Sequence, residues 1–300
     1  MKPELHYDGI VVAAHGRHYF VELPDQQILK CYTRGKRSGI CVGDHVTISP
    51  QGGDQGVIER IHERRNLLYR SDDQRTKQFA ANIDQLLIVV AAEPPFSDDL
   101  AGRALVAAWT ADITPIIILN KADLPSVAVA REKLRIFDSL GIQIIELSAL
   151  DTAGTVERLM PILHDKTTLL LGQSAMGKST LLNALVPDAN ALTQEHSQAL
   201  GAGRHTTTST RLYHLPHSTG HLIDSPGFQA FGLSHLSPSE IVMGFPEFLE
   251  PIEQCRFYNC THRHEPGCGV VKALNENGIH PDRYALYQRL LAEYEARSRY

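Results

Sequence analysis

Short apolar runs broken by glycine open the chain. Val11–Ala14 and Tyr19–Leu23 flank Gly16. The alternating His45-Val46-Thr47-Ile48 follows Gly43-Asp44, and Val57-Ile58 follows Gly56. No helical period interrupts them, so this stretch predicts a small all-β barrel. From about residue 80 the pattern changes to alternating strand and helix. Strands are predicted over Ile83–Ala92, Pro115–Leu119, Ile142–Leu147, Thr167–Leu171, Arg211–Leu215 and His221–Ile223. Helices are predicted over Leu100–Trp109, Val127–Leu140, Val156–His164 and Lys178–Leu185, with Gly141 stopping the second. Such alternation implies a mainly parallel sheet covered by helices on both faces. Beyond residue 235 a Cys/His cluster precedes a polar helix, Pro281–Arg299.

The expected division is therefore 1–75 as a β-barrel, 76–235 as an α/β domain and 236–300 as a small α-rich metal-binding domain. A chain of 300 residues with 43% hydrophobic and 21% charged positions has ordinary globular composition, which excludes wholesale disorder. The N-terminal segment carries acidic residues and no apolar core, so no secretory signal is read there. The longest apolar runs are too short to span a bilayer. A soluble cytoplasmic protein without a membrane partner is expected. Five cysteines make no disulfide scaffold, and three of them crowd into positions 255–268, which points to a metal.

The chemistry lies in the α/β domain. Gly172-Gln173-Ser174-Ala175-Met176-Gly177-Lys178-Ser179, followed by Thr180, fits G-x-x-x-x-G-K-[ST] between an apolar strand and a helix. The glycines let backbone N–H groups wrap a β-phosphate, and the helix N-terminus adds positive potential. Lys178 is expected to bridge the β- and γ-phosphates and Ser179 to ligate Mg²⁺. Asn120-Lys121-Ala122-Asp123 follows another strand. A carboxylate at Asp123 can accept from guanine N1–H and its amino group, donors that adenine lacks, so GTP is selected over ATP. Ser148-Ala149-Leu150 sits likewise after Ile142–Leu147 and matches an element that braces guanine. Asp224-Ser225-Pro226-Gly227 completes the set: Asp224 holds Mg²⁺ through water, and the Gly227 N–H senses the γ-phosphate. Between them lies Gly203-Arg204-His205-Thr206-Thr207-Thr208, where Thr206 or Thr207 is expected to complete the Mg²⁺ shell.

The order is unusual. GTPases ordinarily run phosphate loop, switch threonine, D-x-x-G, N-K-x-D, S-A-x. Here N-K-x-D and S-A-L come first, so the domain is circularly permuted. Phe228 stands where many GTPases place the Gln that orients attacking water, and a phenyl ring cannot do this. His205 is the expected substitute. With Lys178 and Thr207 it makes up the set expected to act on the reacting phosphate.

Cys255-x4-Cys260-x-His262-x5-Cys268 supplies three thiolates and an imidazole, a donor set suited to one structural zinc ion, with His264 as a competing imidazole. Cys31 and Cys41 read as core thiols. A barrel, a permuted GTPase and this Cys/His module together resemble the ribosome small-subunit-dependent GTPase A family (RsgA), over about residues 8–290. G-R-H-T-T-T and the cysteine spacing are the specific motifs. The resemblance implies an N-terminal OB-fold and a role in late maturation of the 30S subunit. It also implies GTP hydrolysis stimulated by that subunit, and zinc ligation by Cys255, Cys260, His262 and Cys268. Three positions depart from the family pattern. Ala175 and Met176 replace its usual Gly-Val pair, and Ala202 replaces a basic residue before G-R-H.

Charge refines the partner. The net charge of −5 excludes bulk coating of nucleic acid. Residues 1–76, however, carry 11 basic against 10 acidic side chains, whereas residues 77–235 carry 11 against 15. Lys30, Arg34, Lys36 and Arg37 form an acid-free run with Tyr32 interleaved, a local surface of the kind OB barrels use for RNA. The reading is a monomeric GTPase that takes Mg²⁺ with GTP, holds one Zn²⁺ and meets the 30S subunit and its 16S rRNA. A non-enzymatic RNA-binding adaptor using GTP only as a structural ligand is the alternative, and intact Lys178, Ser179 and Asp224 argue against it. A P-loop ATPase or kinase is disfavoured by Asp123.

Overall fold

The computed structural model describes residues 5–16, 18–34, 39–71, 76–189, 210–226 and 231–297. Five strands form the N-terminal barrel: β1 (Tyr7–His15), β2 (His18–Glu22), β3 (Ile28–Thr33), β4 (His45–Gly52) and β5 (Gln55–Ile61). They pair in the order β1-β2-β3-β5-β4, and β4 returns to β1. A register shift between Val11 and Ala13 bends β1. Its first half can then pair with β4 and its second half reach a strand of the next domain. Val11, Val21, Leu29, Cys31, Val46 and Ile48 fill the barrel. Burial pushes the Cys31 thiol up to about 12, and the Cys41 thiol is raised further, as befits core thiols.

One ion pair inside the barrel escaped the sequence reading. Asp44 is fully buried and accepts from Arg64 at 2.6 and 2.7 Å and from the Cys41 N–H at 2.9 Å. Arg64→Ala leaves that carboxylate buried without its counter-charge. The expected loss is about 3 kcal/mol of unfolding free energy, read as a lower urea midpoint at unchanged slope.

A hairpin of β6 (Leu67–Ser71) and β7 (Thr76–Ala81) follows, spanning the position where the sequence suggested a boundary. Then come β8 (Gln85–Ala91), α1 (Asp98–Thr110), β9 (Thr114–Asn120), α2 (Val127–Leu134), β10 (Gln143–Glu146), α3 (Thr152–Leu163), β11 (Thr167–Leu171), α4 (Lys178–Leu185), β12 (Arg211–His214) and β13 (His221–Asp224). The helix expected over Val127–Leu140 is shorter. Arg135–Leu140 winds as a 3₁₀ turn with Phe137 buried in the core, and Gly141 ends it in the left-handed region at φ 64°.

The sheet order is β10-β9-β8-β11-β13-β12, with all neighbours parallel except β12. From the fully buried β8 the chain steps outward through β9 and β10, then returns to β11 on the other side. The strand order therefore reverses between β8 and β11, and ligands of open α/β sheets bind at the carboxyl ends of such a switch point. Ala13 of β1 pairs with Arg211 of β12, so barrel and α/β sheet are continuous.

Four helices close the chain: α5 (Pro238–Met243), α6 (Pro246–Ile252), α7 (Gly269–Asn275) and α8 (Pro281–Arg297). Ser237 and Glu240 form a capping box on α5. Although α8 reads as polar, it buries Arg283, Tyr284, Leu286, Tyr287, Leu290 and Leu291. Arg283 pairs with Glu247 at 2.7 Å, the two side chains 2% and 5% exposed. Arg103 and Asp99 of α1 bind Glu293 and Arg289 of α8, which docks the last helix on the α/β domain. Among the described residues no helix is long and apolar enough to cross a membrane.

Candidate nucleotide site and metal centre

Gly172 follows β11 where backbones approach closely: a Cβ there would lie 2.5 Å from the Val89 carbonyl oxygen. The loop runs on through Gln173, Ser174, Ala175 and Met176 to Gly177, which caps α4 at φ 91°. Ser174, Ala175, Ser179 and Thr180 are exposed, and Met176 is buried. The Lys178 ammonium donates to the carbonyls of Gly172 at 2.6 Å and Gln173 at 2.9 Å. Burial lowers its pKa, opposed by Asp224. Asp224, 6% exposed, is pushed up to about 6 by burial, against the pull of Lys178 and the Ser225 N–H. The Ser225 hydroxyl donates to the Leu170 carbonyl at 2.6 Å, fixing this turn to β11.

The base-side loops are built onto the same frame. Asn120 is 2% exposed. Its Nδ2 donates to the Met176 carbonyl at 2.9 Å, and its Oδ1 accepts from the Ala149 N–H at 2.9 Å. One side chain thus joins the N-K-A-D, phosphate and S-A-L loops. Lys121, at φ 60°, donates through Nζ to Ala175 and Glu93 carbonyls. Asp123 is exposed, and the Ser148 carbonyl accepts from the Asp151 N–H.

The sequence reading missed the side chain of Gln173. Its Oε1 accepts from the Ser97 N–H at 2.7 Å, tying the phosphate loop to the N-cap of α1. No motif signals this contact, because Gln173 occupies a free x position. His205, Thr206, Thr207 and Gly227 lie outside the described residues.

Ala175 stands at a revealing place in the phosphate loop. Its φ is 65°, the left-handed region that disfavours a Cβ. Ala175→Gly is expected to stabilise the chain by about 1 kcal/mol, read as a raised urea midpoint with GTP affinity retained.

The second cluster lies in the loop between α6 and α7. The ligand atoms of Cys255, Cys260, His262 and Cys268 all lie within 4.8 Å of one another. Cys255 and Cys268 sulfurs are 4.0 Å apart, and His262 Nδ1 stands 3.5 and 3.6 Å from them. A tetrahedral zinc with its usual bond lengths sets S···S near ~3.8 Å and S···N near ~3.5 Å. Two sulfurs also accept backbone N–H bonds, Cys255 from Gly269 and Cys268 from Val271. His264 is exposed and outside the cluster. The donor set is compatible with a zinc ion. Tyr284 and Tyr287 of α8 donate to the carbonyls of His262 and Thr261, so the same loop supports the last helix.

On the barrel, Lys30 is half-buried on β3 and Tyr32 is 40% exposed. Arg34 pairs with Glu59 at 3.3 Å, which offsets part of that run's charge. Lys36 and Arg37 lie outside the described residues.

A family model described as RsgA GTPase matches residues 61–234. The chain is 62% identical over 290 residues to a protein of Bordetella pertussis named small ribosomal subunit biogenesis GTPase RsgA, covering 96% of this chain and 97% of that one. The chain belongs to the RsgA GTPase family. A relative of the same name from Paraburkholderia phymatum is 54% identical over 288 residues, covering 95% of this chain and 91% of its own. Among solved structures, YjeQ from Thermotoga maritima superposes with a TM-score of 0.73 at 31% identity, covering 97% and 99% of the two chains. YloQ, described as a circularly permuted GTPase, gives 0.70 at 26% identity, covering 99% and 98%. RsgA membership makes the chain a GTP-hydrolysing enzyme, and the permuted motif order agrees with it.

Proposed function

We propose that this chain is a biogenesis factor of the small ribosomal subunit that couples GTP hydrolysis to its contact with the 30S particle and 16S rRNA. The observation that carries this reading is the guanine-nucleotide frame centred on Asn120, in a chain whose relatives bear that name over nearly their whole length. Asp123 selects guanine. Lys178 and the loop amides take the β- and γ-phosphates. Ser179 and Asp224, with Thr206 or Thr207, supply the hard oxygen donors that Mg²⁺ prefers. Bound there, Mg²⁺ neutralises charge on the β- and γ-phosphates. Cys255, Cys260, His262 and Cys268 hold one structural zinc.

The barrel run Lys30, Arg34, Lys36 and Arg37 contacts rRNA. His205 orients the attacking water in place of the missing Gln. The protein works as a cytoplasmic monomer, with the barrel over 1–75, the GTPase over 76–235 and the zinc module over 236–300.

The test is GTP hydrolysis with and without purified 30S or 50S subunits. Stimulation by 30S alone is expected; stimulation by neither, or equally by both, rejects the reading. His205→Ala is expected to keep GTP binding and lose at least about tenfold in stimulated kcat. Unchanged kcat removes His205 from the mechanism.

A further inference from the structure

The Ala13–Arg211 pairing joins the barrel to the GTPase sheet at one end of the β12–β13 hairpin, and a chain of polar side chains joins them at the other. His214 ends β12 and His221 opens β13, directly opposed across the hairpin. Their Nδ1 atoms are hydrogen-bonded at 3.1 Å, with the rings edge to face. On its far side, His214 Nε2 lies 2.8 and 2.9 Å from the two carboxylate oxygens of Glu22 on β2.

This chain fixes where hydrogens can sit. A carboxylate only accepts, so Nε2 of His214 carries a hydrogen. The gap between the two Nδ1 atoms has room for one hydrogen. With both rings neutral it belongs to His221 and points at the His214 lone pair. After one protonation it belongs to His214, now a cation against Glu22, and points at a lone pair on His221. Both states keep the contact, and the cationic one adds a charge-assisted bond across the domain junction. A second proton sets N–H against N–H and cation against cation, and the pair must part.

The surroundings separate the two steps. The bond to Glu22 holds His214 above the ordinary histidine value, against burial. Burial holds His221 below it, helped by His214 and by His45 on β4, and opposed by Glu22 and Asp84. Asp84 is already paired with Arg65 at 2.6 Å, and the Lys166 carbonyl accepts from the His221 N–H. Asp8 and His62, 3.3 Å apart, line the same groove. A raised histidine stabilises the contact at low pH, and that gain fades as pH rises through its folded value. A lowered histidine leaves the contact intact at high pH and weakens it as pH falls through its folded value. The contact is therefore tightest between the two steps.

We propose that Glu22, His214 and His221 form a pH-operated latch: one hydrogen between the two Nδ1 atoms fastens the barrel to the GTPase hairpin, and a second one opens it. The latch lies at the domain junction and does not depend on the RNA partner proposed above.

The test uses the full, zinc-loaded chain from about pH 5 to 8. Histidine side-chain ¹⁵N shifts should show His214 keeping its Nε2 hydrogen and titrating above about 6.5, and His221 titrating below it. Amide protection factors of β1 and β12 should peak between the two steps and fall at least about threefold on either side. His221→Phe should abolish the acid fall and keep the alkaline one. Glu22→Gln should move the His214 step down. Circular dichroism and GTP affinity report folding; should either variant fail to fold, His214→Gln, expected to flatten the profile, decides with the other. Two histidines titrating together, or protection flat to within about threefold in the parent chain, overturns the proposal. An acid fall that persists in His221→Phe overturns it equally.

Discussion

Gly177→Ala abolishes productive GTP binding, with affinity falling at least about 100-fold by isothermal titration. The argument is steric. At φ 91° the residue occupies backbone space that a Cβ disfavours, and the added carbon would lie 2.2 Å from Asn120 Nδ2. Asn120 cannot yield cheaply. It is buried, and its two hydrogen bonds hold the phosphate loop to the guanine-side loops. Losing both costs about 1 kcal/mol each, and the backbone strain adds about 1–2 kcal/mol, together enough for a loss of that size. Far-UV circular dichroism should be unchanged, since the strands beneath the loop stay packed. A variant that binds GTP within about threefold of the parent would show that the loop relaxes around the methyl group, and the frame argument would fall.

On the proposed zinc site, stripping the ion with a chelator, or replacing Cys260 with serine, is expected to unfold the C-terminal module while sparing the nucleotide site. Structural zinc supplies on the order of 10 kcal/mol of local folding free energy. Here the loop it organises also accepts the Tyr284 and Tyr287 hydroxyls. Without the ion those hydroxyls lose their partners, and α6, α7 and α8 lose their common support. Hydrogen exchange should show lost protection across residues 246–291, with protection retained in β8, β9 and β11. GTP affinity should stay within about threefold, because none of its contacts comes from the module. Full protection of α8 after chelation would mean that the Arg103–Glu293 and Arg289–Asp99 bridges hold the helix unaided.

The GTPase core was legible because its motifs tie chemistry to local spacing. The phosphate loop, N-K-A-D and D-S-P-G each follow a recognisable apolar strand, at the carboxyl ends of β11, β9 and β13. The Cys/His module was legible for the same reason. What escaped is non-local. Arg64 and Asp44 look like surface charges until the barrel closes over them. The polar pattern of α8 hides a buried face, because Arg283 meets Glu247 from 36 residues away. The short helices α5, α6 and α7 start at proline or glycine and never run long enough to set a period. A groove lined by His45, His62, His214 and His221 is assembled from β1, β2, β4, β12, β13 and their flanks, and no spacing could announce it.

One feature of the large sheet bears on handling the protein in solution. Among its described strands, β10 alone is paired on a single side, since the barrel closes back on β1 and β12 has neighbours on both. A free edge is where another chain can add a strand. β10 is only four residues long, and its Glu146 is bound by Arg131 at 2.6 and 2.7 Å. A short strand ending in an engaged charge makes a poor template for edge-to-edge aggregation. Arg131→Val would replace the cation beside that edge with a β-branched apolar side chain and turn it into a point of self-association.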